Sequence, residues 1–183
     1  DLNPCKKCSG SGRVKHEKHL EITIPTGIEE GNEIRISGEG EAGYQGATAG
    51  NLYVFINILP HDLFKVNDHN LYCTIYIPMT TAILGGVLKI PDLSGKVHEI
   101  KIPHGTQSGT QFRLKSIGMP YYKSSRCGDI LVEVLVETPV ELSKEQQNQI
   151  EKFASDVSSV KNSPKSQDIQ NKLNRLIQQY KTS

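Results

Sequence analysis

Two cysteines stand two apart near the start of the chain, in "CKKCSGSG" from Cys5 to Gly12. Thiolates at this spacing either ligate zinc or cycle through a disulfide, and structural zinc takes four ligands. Three readings compete. His16 and His19 complete a C-x2-C-x7-H-x2-H pattern, but that loop is shorter than zinc-finger spacing and His19 borders a strand. A redox pair needs a strand-helix context that the segment lacks, although Lys6 and Lys7 favour a thiolate. Half of a zinc site, with its other ligands elsewhere, fits best. Gly10 and Gly12 permit tight turns whose amides point at the sulfurs.

The remaining motifs carry less chemistry. "GEGEAG" (Gly38 to Gly43) matches a dinucleotide-binding pattern after a strand. Glu39 and Glu41 would repel a pyrophosphate there, and no helix opens behind the loop. A β-connection is expected. "GTQSGT" (Gly105 to Thr110) lacks a P-loop lysine and reads as a turn. His61, His98 and His104 read as surface or turn residues, and no nucleophile, base and orienter assemble. Catalysis is not expected.

The elements around these residues are mostly strands. Period-two alternation puts Leu20, Ile22 and Ile24 on one face, then Leu52, Val54, Ile56 and Ile58. Leu71, Cys73, Ile75 and Ile77 follow, and later Ile130, Val132, Val134 and Val136. Residues 24–60 align without a gap onto residues 102–138, an offset of 102 − 24 = 78. Nine of those 37 positions are identical: Ile24/Ile102, Pro25/Pro103, Gly27/Gly105, Gly31/Gly109, Arg35/Arg113, Gly40/Gly118, Tyr44/Tyr122, Gly50/Gly128 and Val54/Val132. That is several times chance, so the chain is a tandem duplication with its junction near 60–70. Each unit reads as strand, Pro-Gly turn, strand, glycine-rich loop, strand. A hairpin around Asp92 to Gly95 precedes the second repeat core, and nothing equivalent precedes residue 20, so the first sheet is expected to be incomplete.

After Pro139 the period changes to 3.6. Ser143 and Gln146 form a capping-box start, with Ile150, Phe153, Ala154 and Val157 on one helix face. A Ser/Asn/Pro linker leads to a last helix bearing the stripe Ile169, Leu173, Leu176, Ile177 and Tyr180. Such a helix is marginal alone and must dock on its own chain or on a partner.

Composition agrees. The 183 residues carry 36% hydrophobic side chains, no Trp and a net charge of +1, with mean hydropathy −0.41. Near-neutral charge argues against nucleic-acid or membrane-surface binding. No apolar run approaches a membrane span. Cys5 and Cys8 are too close to staple a fold, and Cys73 lies in a strand pattern, so a reducing intracellular setting is expected. The chain begins at Asp1 and without a signal peptide, and reads as an excised piece of a longer protein.

Taken together, "CKKCSGSG", "IPTGIEEGNEIRISGEGEAG", "GNLYVFINILPHDLF", "AILGG", "IPHGTQSGTQFRLKSIGMP" and "GDILVEVLVETP" resemble the type I J-domain cochaperones, the DnaJ family, in its bacterial or organellar branch. "PHD" at Pro60 to Asp62 has the letters of the J-domain's His-Pro-Asp motif in the wrong order and carries no weight. The resemblance implies a mainly β fold of two tandem β-sandwich-like domains of similar topology plus C-terminal α-helices. Its domains would be 1–18, the fourth C-x-x-C-x-G-x-G element of a cysteine-rich zinc module; 19–66, an incomplete first β-domain; 67–141, a second β-domain; and 142–183, the dimerisation helices.

The resemblance further implies that Cys5 and Cys8 share a zinc ion with an upstream element, so the full-length protein holds zinc and none is expected to be held tightly here. It implies binding of unfolded client polypeptide by β-strand addition, with an apolar pocket carried over to Leu20, Ile22 and Phe64. It implies a homodimer formed through Ile169, Leu173, Leu176, Ile177 and Tyr180, and delivery of clients to a DnaK-type chaperone. No nucleic acid or membrane partner is expected, and the location would be bacterial cytoplasm or an organellar matrix. The rival reading is a zinc-dependent thiol-disulfide oxidoreductase using Cys5 and Cys8.

Overall fold

The computed structural model describes residues 5–8, 10, 12–157 and 161–181. Among the described residues eight strands and three α-helices follow in order: β1 (Glu33–Ile36), β2 (Leu52–Phe55), β3 (Lys65–Asn67), β4 (Asn70–Pro78), α1 (Met79–Leu84), β5 (Gly86–Pro91), β6 (Val97–Ile102), β7 (Thr110–Leu114), β8 (Ile130–Glu137), α2 (Lys144–Asp156) and α3 (Pro164–Lys181). The fold is mainly β with C-terminal helices.

The duplication seen in the sequence reappears as identical strand pairing. β1 and β2 pair antiparallel with Glu33 opposite Phe55 and Ile36 opposite Leu52. β7 and β8 pair antiparallel with Gln111 opposite Glu133 and Leu114 opposite Ile130. Adding 78 to each residue of the first ladder gives the second. The flanking bonds repeat as well: Gly31 N–H donates to the Ile56 carbonyl as Gly109 does to Val134, and Gly40 to Gly50 as Gly118 to Gly128. Shared glycines explain the shared register. A Cβ on Gly40 would lie 2.6 Å from the Asn51 carbonyl oxygen, and one on Gly118 2.5 Å from that of Asp129. Only a glycine lets the two backbones approach this closely.

The repeats differ in what surrounds the ladder. β7 and β8 belong to a four-stranded sheet of order β3-β4-β8-β7, whereas β1 and β2 stand as a two-stranded sheet. Burial follows. Ile130, Val132 and Val134 are fully buried along β8, while the equivalent Leu52 and Val54 are only half-buried. Leu71 and Cys73 on β4, Ile90 on β5 and Ile100 on β6 complete the apolar core around the second ladder. The strand expected over Leu20 to Ile24 does not form, for those residues find no ladder partner among the described residues. The chain just before it is tied down by side chains: Arg13 donates to the Ala42 carbonyl at 2.6 Å, and Lys18 pairs with Glu39 at 2.6 Å.

The hairpin β5-β6 forms around Asp92 as the turn residues predict. Asp92 Oδ1 accepts from the Ser94 and Lys96 amides at 2.9 and 3.0 Å and from the Ser94 hydroxyl at 2.6 Å. His98 Nε2 lies 2.8 Å from Oδ2. The Ser94 hydroxyl, then His98, hold this carboxyl well below the usual carboxylate range.

The chain divides into two compact units. The first comprises residues 1–75, 87–101 and 108–135, and the second 76–86, 102–107 and 136–183. Within the second, α1 is an element that the sequence pattern did not signal. Its end is closed by Gly85, at φ 84°, which donates to the Thr81 carbonyl. The expected capping box opens α2: Ser143 Oγ accepts from the Gln146 amide and Gln146 Oε1 from the Ser143 amide, at 3.3 and 2.8 Å. No residue of α2 is buried.

One pair of repeat glycines discriminates the two surroundings. A Cβ on Gly50 meets nothing closer than 3.8 Å, whereas one on Gly128 would be driven into the His69 carbonyl. Gly128→Ala is expected to cost about 1–3 kcal/mol and Gly50→Ala under about 0.5 kcal/mol, read from urea midpoints. Equal losses would break the assignment.

Candidate peptide-binding and thiol sites

Cys5 and Cys8 lie in a short turn in which the Cys8 amide donates to the Cys5 carbonyl at 3.3 Å. The Lys7 amide, then the Cys8 amide and thiol, draw the Cys5 thiol below its ordinary value. Amides converging on a sulfur stabilise thiolate, the form that both metal binding and disulfide exchange require. Among the described residues no group of three or more His, Cys, Asp or Glu gathers to hold a metal. His16 and His19 are exposed and are not brought to Cys5 and Cys8 as a ligand set. The donor chemistry therefore fits zinc as two of four ligands. Cys73 is the opposite case: buried on β4, its thiol is pushed up by burial.

The three residues carried over for client binding sit in different environments. Leu20 is 37% exposed and Ile22 half-buried, on the extended segment before Pro25. Phe64 is 4% exposed and belongs to the core. His61 prepares that burial: its Nδ1 accepts from the Leu63 and Phe64 amides at 3.0 and 3.1 Å, and its ring stands 5.3 Å from that of Phe64. The histidine thus caps a turn, as expected for a residue with no catalytic partner.

A cleft that the sequence did not signal runs along β1. It encloses about 570 Å3 and is lined by Pro25, Ile28, Glu29, Glu33, Ile34 and Tyr122, among others. The Pro-Gly turn of the first repeat forms one wall. A Cβ on Gly27 would stand 2.7 Å from the Pro120 carbonyl oxygen, so the turn lies against the loop carrying Tyr121 and Tyr122. That loop is pinned in turn: the Met119 amide donates to the His69 carbonyl at 2.9 Å, and the His69 and Tyr121 rings stack at 3.7 Å. Because the cleft joins residues about 90 apart in sequence, periodicity could not have found it. The Gly27/Gly105 identity was the available signal, and it reported only a turn.

On α3 the stripe expected from the sequence is present and uncovered. Ile169, Leu173, Leu176, Ile177 and Tyr180 are between 46% and 81% exposed. No helix of the described residues is long and apolar enough to cross a membrane.

A duplicated β-ladder, a CxxC turn and a C-terminal amphipathic helix define a class: a β-rich chain that presents strand edges and apolar surface. Comparison with known proteins agrees. Residues 5–139 match the model of the DnaJ C terminal domain. The chain is 45% identical over 181 residues to the chaperone protein DnaJ of Paramagnetospirillum magneticum, covering 98% of this chain and 47% of that protein. It is 49% identical over 164 residues to the chaperone protein DnaJ of Brucella abortus, covering 90% and 43%. The chain therefore belongs to the DnaJ C-terminal domain family. It spans less than half the length of these curated relatives.

The thiol environments are directly testable. Iodoacetamide is expected to alkylate Cys5 at least about tenfold faster than Cys73 in the folded chain, read by peptide mass spectrometry over time. Equal rates would contradict the environments described.

Proposed function

We propose that this chain is the client-binding and dimerisation part of a molecular cochaperone, and that it binds rather than catalyses. Family membership over residues 5–139 carries this reading. Unfolded polypeptide exposes main-chain groups and apolar side chains together, and strand addition to a sheet edge engages both. The two-stranded sheet of the first repeat offers such edges. Leu20 and Ile22, on the extended segment before Pro25, supply apolar surface, whereas Phe64 is part of the buried core. Delivery of the client to a DnaK-type chaperone belongs to the longer protein, in the cytoplasm if the source is bacterial like the relatives named above. Neither nucleic acid nor membrane enters this reading.

Cys5 and Cys8 would supply two of the four thiolates of a zinc site, and the ion when bound contributes structural cross-linking rather than chemistry. The exposed stripe on α3 supports a homodimer. Two copies would hold two clefts on one client and raise affinity through effective concentration.

Two experiments test this reading. Phe64 is unsuited as a probe, since emptying a buried Phe site costs about 3–5 kcal/mol of stability. Leu20→Ser with Ile22→Ser is the cleaner variant. It is expected to weaken binding of unfolded luciferase at least about tenfold, while Cys5→Ala leaves it unchanged. If Cys5→Ala abolished an insulin-reductase turnover instead, the oxidoreductase reading would replace this one. For the second test, deleting residues 165–183 is expected to convert dimers to monomers in sedimentation velocity, and an unchanged mass would remove the helix from the interface.

A further inference from the structure

The turn that follows the first repeat block is closed by His61 in a way open only to an uncharged ring. Nδ1 of His61 accepts from the Leu63 amide at 3.0 Å and from the part-buried Phe64 amide at 3.1 Å. An accepting Nδ1 places the proton of the neutral ring on Nε2, and a second proton would make Nδ1 a donor. Both bonds are then lost, and two N–H groups face a third. The charged ring gains some attraction to the Phe64 ring, 5.3 Å away. That gain is comparable to a single hydrogen bond and stands against two, one of them part-buried. Loss of the cap wins, and the turn opens. What the turn holds is Phe64, 4% exposed and next to the start of β3 at Lys65.

No neighbouring charge answers a proton on this ring. Asp62 and Lys65 flank the turn and line a groove of about 270 Å3, whose other walls carry Tyr72 and Cys73 of β4 and Glu133 of β8. Among the described residues no carboxylate pairs with the His61 ring, whereas Glu29 meets His69 at 4.0 Å and Asp92 meets His98 at 2.8 Å. Those two rings have an acceptor for a positive charge, and His61 has two amides that oppose it. Of the side-chain types around the turn, histidine is the one that ordinarily changes charge between about pH 5 and 8. We propose that His61 is an acid-released latch on Phe64: the neutral ring holds the turn shut, and protonation opens it and uncovers the Phe64 side chain. The latch is closed above the histidine range and lost as pH falls through it. It stands apart from the chaperone reading and bears on it once, since Phe64 when uncovered adds apolar surface beside the groove.

The test is amide exchange on the whole chain at about pH 7.5 and about pH 5.5, expressed as protection factors so that the pH dependence of exchange itself cancels. Leu63 and Phe64 are expected to lose at least about tenfold in protection at the lower pH, while the buried Val132 and Val134 of β8 keep theirs. His61→Asn offers a side-chain carbonyl to the same amides and takes up no proton, so it should hold them at both pH values. His61→Ala should leave them weakly protected at both, and full protection in that variant would take the ring out of the latch. Ring 15N chemical shifts give a readout that needs no variant: Nε2–H is expected at the higher pH, and Nδ1–H would overturn the proposal. Unchanged protection in the unaltered chain would overturn it as well. A loss on acidification that persists in His61→Asn would assign the effect to another group, with the same consequence. The chaperone reading survives each of these failures, because it stands on binding of unfolded polypeptide at neutral pH.

Discussion

The close approach of two backbones at Gly118, where a Cβ would stand 2.5 Å from the Asp129 carbonyl oxygen, anchors the second sheet. From that contact the β7–β8 register follows, and with it the inward direction of Ile130, Val132 and Val134. A one-residue slip would turn those three side chains to solvent. Asp129 strengthens the same point, for its carboxylate accepts from the Ser116 amide and pairs with Arg113. The Ser116 amide, then Arg113, keep this carboxyl below its ordinary value. The first repeat has the same glycine contact at Gly40, with the Asn51 side-chain oxygen 3.3 Å from the Gly38 amide in place of the carboxylate. Substitution of Asp by Asn keeps the acceptor and loses the charge, so the equivalent Arg35 is left without that partner and lies along the cleft.

Function in this reading comes from incompleteness rather than from a reactive group. Where the second ladder is flanked by β4, the first finds no third strand among the described residues and carries half-buried apolar residues. Exposed edges invite pairing with other chains, which ordinary proteins suppress and a protein that captures unfolded segments uses.

Much of this was legible in the sequence for a specific reason. The 78-residue duplication rests in part on glycines, and several report geometry directly: Gly31 and Gly109 through a positive φ, Gly40 and Gly118 through a backbone approach that admits no Cβ. The capping box at Ser143 and Gln146 and the Asp92 turn are likewise local, built from residues within six of each other. Alternation found β4 and β8 but also marked Leu20 to Ile24, where the structure has no strand. Period two reports a side-chain pattern, and a strand also needs a neighbour to bond to.

The amino-acid sequence by itself determined the mainly β class, the tandem repeat, the CxxC turn and the amphipathic last helix, since all four are written in composition, spacing or period. Tertiary structure decided which of the apolar residues are covered. Phe64, set among polar neighbours, is enclosed by core packing after His61 turns the chain. The stripe from Ile169 to Tyr180 stays bare. The cleft beside β1 exists because Gly27 lets a turn rest on a loop some 90 residues away. Burial depends on what long-range contacts bring near, and no local pattern encodes that.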